Sequence, residues 1–283
     1  MSEVVRLAEM TSPEIGEWIG RGAVALLPVG QVEEHGPHLP VNTDLVIAER
    51  TAEAAAALVH PEPPVLLLPG VWSGYSASIM QRWPGTIRLR TRVLADMVHD
   101  IVLSLTHMGF RKIVLLSAHG HHPALLEMVA REIGDETEVA VAVVDVAKMA
   151  ADAVRRHRKS RPGGCIHGCE FETSLMLHFG ERVLMDQAPT DARFTYESEN
   201  VPGDGFSGSK RAFWSTWAIE PTRSGVYGEP ALATAETGRL IFESMVANTA
   251  SFLREYGRRG VTAGVRGQDS GFGADDGAHD GKG

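Results

Sequence analysis

Cysteine is almost missing from this chain: Cys165 and Cys169 are the only two in 283 residues. That excludes a disulfide-stapled scaffold and a four-thiolate zinc site, which would need a second pair. The two flank His167 in Cys-Ile-His-Gly-Cys, a spacing that suits neither a thiolate metal site nor a bridge in a reducing compartment. No apolar run reaches the roughly 18 residues a membrane span needs. The start, Met1-Ser2-Glu3-Val4-Val5-Arg6, has neither a basic region nor an apolar signal core, so a cytoplasmic protein without a membrane partner is expected. Net charge is −9 at pH 7, and no basic cluster is large enough for nucleic acid. The one basic run, Arg155 to Lys159 with Arg161, reads as a solvated helix end. Internal repeats are also absent.

What remains is ordinary globular composition, enough for a sizeable core. Short apolar runs read as strands at 23–28, 65–68, 112–117 and 139–145. Helical patterns alternate with them, at 43–59, 91–107, 124–133 and after the fourth strand to about residue 156. Ser12-Pro13-Glu14 starts an earlier helix, and a final one runs to about Tyr256. Such alternation predicts an α/β fold with a mostly parallel sheet and ligands at the carboxyl ends of its strands. Residues 1–263 are expected to form one catalytic domain. Residues 264–283, rich in Gly and Asp, are expected to be a disordered tail.

The chemistry concentrates in the loop after the first strand, which holds Glu33, Glu34, His35, His38 and Asp44. Glu33 and His35 share a face if the backbone is extended, and Asp44 can return to the same point after the turn. Oxygen and nitrogen donors without thiolate suit zinc, manganese or iron(II). By spacing alone, a polar surface loop fits equally well. The third strand delivers a second set, Ser117-Ala118-His119-Gly120-His121-His122, at the same end of the sheet. A third set is His167 with Glu172, the latter near a helix start where the dipole favours a carboxylate.

Gly30-Gln31-Val32-Glu33-Glu34-His35-Gly36-Pro37-His38-Leu39-Pro40, then Thr43-Asp44, resembles the signature of the creatininase family of metal-dependent amidohydrolases. That signature reads Gly-Ser-x-Glu-Gln-His-Gly-Pro-His-Leu-Pro, so Gln31 and Glu34 are departures. Trp83-Pro84-Gly85-Thr86, His119, His167 with Glu172-Thr173-Ser174, and Gly225 to Pro230 resemble later family blocks in the same order. The resemblance implies a three-layer α/β/α domain, a homo-oligomer such as a hexamer, and two divalent ions per chain (Zn, Mn or Fe). It further implies Glu33, His35, Asp44 and His119 as ligands, with Asp44 between the ions and His121 as an added ligand or a pocket group. Glu172 would be the base, or a ligand, and His167 the acid that serves the leaving group. The implied reaction is hydrolysis of an amide or cyclic amide in a small organic molecule. Ring or lactone opening, peptide trimming, a metal-dependent isomerase or lyase, and a non-catalytic metal scaffold are the other readings. Trp72, Tyr75 and Trp83, in a loop too long to be a plain connection, and His122 are expected to contact substrate. Core packing or a subunit contact suits the aromatics as well.

Overall fold

The computed structural model describes residues 4–195, 198–208, 210–213 and 222–261. The Gly/Asp-rich tail, Trp214 and Trp217 lie outside them. Strand β1 (Val24–Val29) is apolar and buried along its whole length, as a central parallel strand must be. It pairs with β2 (Val65–Leu67) on one side and β3 (Lys112–Ser117) on the other. Beyond β3 lies β4 (Ala140–Asp145), giving the order β2-β1-β3-β4 with every pair parallel. Val29 stands opposite Ser117, and Ser117 opposite Asp145, so β1, β3 and β4 end at one level. The loops that follow β1 and β3 therefore leave the sheet side by side.

Side chains alternate across the sheet. Val24, Leu26, Val114 and Leu116 enter a core with α2 (Thr43–Val59), α5 (Val146–His157), α6 (Glu170–Phe179) and α7 (Ala235–Arg258). Ala25, Leu27, Ile113 and Leu115 enter the opposite core with α1 (Ser12–Gly20), α3 (Thr91–Met108) and α4 (His122–Glu136). The result is the three-layer α/β/α domain with a parallel central sheet that the sequence implies. Helix α3 shows why the pattern was readable: Leu94, Val98, Val102 and Leu105 make its buried stripe, and Gly109 at φ 109° closes it in the left-handed conformation. A short antiparallel pair, β5 (Cys165–His167) with β6 (Tyr227–Gly228), carries His167 over the strand ends.

Close approach of β1 to α2 decides one glycine. A Cβ on Gly30 would stand 2.4 Å from the Leu45 Cα, a backbone atom that cannot turn aside. Gly134, exposed in α4, has nothing within 4 Å of the same added atom. Chemical denaturation should separate the two. Gly30→Ala should lower stability by about 1–3 kcal/mol. Gly134→Ala should raise it by about 0.4–1 kcal/mol through the unfolded chain's lost freedom. Equal effects would contradict the packing described.

Candidate metal centre

The loop between β1 and α2 is folded inward. Glu33 N–H donates to the Val41 carbonyl at 2.9 Å, and Gln31, Glu33, Glu34, His35, His38 and Asp44 are all buried. Gln31, in place of the signature serine, ties this loop to the next. Its amide donates to the Ile87 carbonyl at 3.1 Å and its oxygen accepts from Gly74 N–H. Ser76, which sequence reasoning passed over, donates to Glu33 Oε1 at 2.6 Å. Nothing in a lone loop serine marks it for that role.

Among the described residues, two groups of side chains have metal-ligand spacing. Glu33, Asp44 and His119 form one, and His35, His167 and Glu172 the other, with the donor atoms of each group within 4.8 Å of one another. Asp44 stands between them. Its Oδ2 lies 2.8 Å from His119 Nδ1, and its Oδ1 lies 3.2 Å from His35 Nε2. Glu172 Oε1 reaches within 3.9 Å of the same His35 nitrogen, while its Oε2 accepts from Cys169 N–H at 2.9 Å, a capping box that starts α6. Gly168, at φ 57°, makes the preceding turn, where a Cβ would press on the His35 carbonyl at 3.0 Å.

The residues fit divalent ions on three observations. His35 Nδ1–H donates to the Glu33 carbonyl at 2.9 Å, which leaves Nε2 as the lone-pair nitrogen facing two carboxylates. His167 Nε2–H donates to the Glu34 carbonyl at 2.7 Å, which leaves its Nδ1. A histidine whose second nitrogen is held by a backbone carbonyl is the usual support for a metal ligand. Glu33 Oε2 is buried and accepts no hydrogen bond; its 3.3 Å approach to His119 Nδ1 is not aligned as one. Electrostatics agree. Burial lowers the pKa of His35, but the carboxylates of Asp44, Glu172 and Glu33 outweigh it and raise the value to about 10. Burial likewise works against His119, and Glu33 and Asp44 raise it. Asp44 is disfavoured by burial yet held well below the usual carboxylate range by His35 and His119. Protons here occupy the lone pairs a cation would take.

The other residues expected at the site fall in different places. His121 belongs to neither group: its Nδ1 faces His119 Nε2 at 3.2 Å, and its ring packs edge-on to Tyr75 at 5.7 Å. Burial first, then the charges on His119 and His167, lower its pKa to about 3. His167, assigned only to acid chemistry, sits instead among the potential ligands. Trp72, Tyr75, Trp83 and His122 do not line the cavity that opens beside His119, His167 and Glu172. Trp72 is 53 % exposed, and His122 is buried with Nε2 donating to the Tyr75 carbonyl at 3.1 Å. That cavity, about 320 Å³, is walled instead by Phe171, Phe194, Val201, Phe206 and Phe213, with Lys210 beside them. Most of this wall comes from a stretch whose glycines and prolines hid any periodic signal.

The family model for creatininase, described as creatinine amidohydrolase, matches residues 8–253. The chain belongs to the creatininase family. It is therefore a metal-dependent amidohydrolase. Creatinine amidohydrolase of Pseudomonas putida is 29% identical over 90% of this chain and 98% of its own length. The mycofactocin precursor peptide peptidase of Mycobacterium ulcerans (strain Agy99) is 29% identical over 82% and 84%. A crystal structure of creatinine amidohydrolase superposes with a TM-score of 0.74 at 25% identity, covering 92% of this chain and all of that one. A manganese form of creatininase gives 0.73 at 24% identity over 91% of this chain and 100% of that chain, a likeness of fold.

Metal uptake by this creatininase-family chain should be proton-linked. Below pH of about 10 His35 Nε2 is protonated in the metal-free state, so binding must displace that proton. Affinity should then rise with pH, by about tenfold per unit for each proton displaced. Titrating metal-depleted protein with Zn(II) or Mn(II) at pH 6, 7 and 8 checks this, and an affinity flat across that range would refute it.

Proposed function

We propose that the chain hydrolyses the C–N bond of an amide or cyclic amide in a small organic substrate, using two divalent ions. The observation that carries this is Asp44, whose two oxygens face one histidine of each group. Glu33, Asp44 and His119 would hold one ion, and His35 and Asp44 the other, beside Glu172 and His167. Zinc, manganese or iron(II) suit these donors. Such ions bring the pKa of a coordinated water towards about 7 and polarise a carbonyl oxygen.

The chain's own groups do the rest. Cys169 N–H fixes one oxygen of Glu172, so the other has a single orientation from which to accept a proton from the attacking water. His167 is held by the Glu34 carbonyl with its Nδ1 open to take that proton from Glu172 and pass it to the leaving nitrogen. The cavity beside them gives the substrate an approach walled by aromatic rings. His121 keeps the His119 ring turned so that Nδ1 meets the carboxylates, a supporting role in place of ligation. The family match to residue 253 supports residues 1–263 as one catalytic unit. A cytoplasmic homo-oligomer completes the reading.

Among relatives, the names creatinine amidohydrolase, mycofactocin precursor peptide peptidase and 3-dehydro-scyllo-inosose hydrolase cover a ring amide, a peptide and a carbocycle. The donor set here suits carbonyl attack in each. An amide is favoured because His167 is placed to protonate a basic leaving group.

Two substitutions test the assignment by elemental analysis and turnover of an amide and lactone panel. Asp44→Ala should lose both ions and all activity together; activity that survives complete metal loss would refute the scheme. His121→Ala should keep two ions at saturation while binding them about 10–100-fold more weakly. A fall to one ion would make His121 a ligand.

A further inference from the structure

Among the described residues, the segment from Phe194 to Phe213 contributes no ligand-type side chain to the centre, yet it walls the cavity. Its anchor is Asp204, a buried carboxylate that accepts from Arg158 Nη1 at 2.9 Å, Gly163 N–H at 2.8 Å, Phe206 N–H at 3.0 Å and Ser207 Oγ at 2.8 Å. Four donors on one buried carboxylate fix the local chain path. They also fix Phe206, whose ring packs against Phe171 at 5.2 Å and a 56° tilt. Phe171 precedes Glu172 in α6, so this aromatic pair begins one residue from the reacting groups. Phe194, buried and bonded through its N–H to the Gly163 carbonyl at 3.0 Å, extends the same wall. Phe213 is 84 % exposed and stands at the rim.

A substrate as small and polar as a bare ring amide would leave this surface unused. Aromatic faces beside a polar centre favour a planar or branched apolar group, since burying such a group is the main gain available to a cavity of this size. We propose that Phe171, Phe194 and Phe206 form a specificity wall for an amide carrying an aromatic or branched apolar group next to the scissile bond. The proposal rests on the two-ion reading given above and adds the substrate class to it. Phe194 and Phe206 lie between residues 181 and 224, outside the signature blocks quoted for the family.

Two metal-binding probes that share one head group test it without turnover: acetohydroxamate and phenylacetohydroxamate, titrated calorimetrically into the metal-loaded protein. The phenyl compound should bind about tenfold tighter or more, as expected for burying one ring. In Phe206→Ala that advantage should shrink to about threefold or less. Phe206→Trp, which fills the space instead of emptying it, should weaken the phenyl compound and spare the acetyl one, and it keeps the test open if the alanine variant fails to fold. Equal affinities in the unaltered protein, or an advantage untouched by both substitutions, would overturn the wall and leave the metal centre standing. A protein that takes up no metal and binds neither probe would remove the centre, and the wall with it.

Discussion

Burying carboxylates together without a fixed cation is the constraint on which this structure turns. Glu33, Asp44 and Glu172 approach the rings of His35 and His119 in a region with little solvent. Taking a charge out of water costs several kcal/mol per ion even after relaxation, so the arrangement persists only if positive charge is supplied and geometry is held. The fold supplies the geometry. β1 and β3 end level, which puts the loop bearing Glu33 and His35 beside the turn bearing His119. The N-terminus of α6 presents Glu172 with its dipole in the favourable sense. β5 brings His167 in from a different part of the chain, and the His35 and His167 rings meet at 4.4 Å. Four separate segments thus converge on one desolvated point.

Much of this was legible in the sequence, for identifiable reasons. β1 is apolar and bounded by turn residues, and α3 has a clean stripe, so local patterning and tertiary packing agree there. Glu33, His35, Asp44, His119 and Glu172 stand in dense polar motifs at strand ends, where parallel α/β folds expose backbone to ligands. What stayed hidden depended on contacts between distant segments. Nothing local tells that His121 turns toward His119 instead of the carboxylates. Nor does a Gly-rich stretch disclose that Asp204 will pair with Arg158, 46 residues away, and so carry Phe206 to the cavity. The bracing role of the Trp72 loop was hidden too, since length and aromatic content alone suggest a pocket wall. Gly74 N–H goes to Gln31, and Ser73 Oγ donates to the Ile87 carbonyl at 2.7 Å.

The molecule separates chemistry from recognition. Reacting groups sit on the ends of a rigid sheet and one helix start, where position is fixed by the packing of two cores. The proposed recognition wall comes largely from an irregular segment anchored on the buried Asp204 carboxylate and on backbone bonds such as that of Phe194 to Gly163. Such a segment can change its side chains without disturbing the sheet, because it contributes little to either core. Relatives of this chain carry names as different as a creatinine amidohydrolase and a peptide peptidase, and one fold can host different substrates when recognition is set by such segments.

Glu34 shows how a departure from the signature fits the same charge logic. It is buried, its Oε2 accepts from Gly36 N–H at 2.9 Å, and its Oε1 has no hydrogen bond but lies 3.7 Å from His167 Nε2. The signature has a neutral glutamine there, so this chain adds a fourth carboxyl group to Glu33, Asp44 and Glu172. Glu34 thus sets one more buried carboxyl group beside the His167 ring. Gly225 leaves the room for this carboxyl, since a Cβ there would overlap both Glu34 oxygens. The extra acid and the glycine opposite it therefore belong together: one adds a carboxyl group beside His167, and the other leaves the space it occupies.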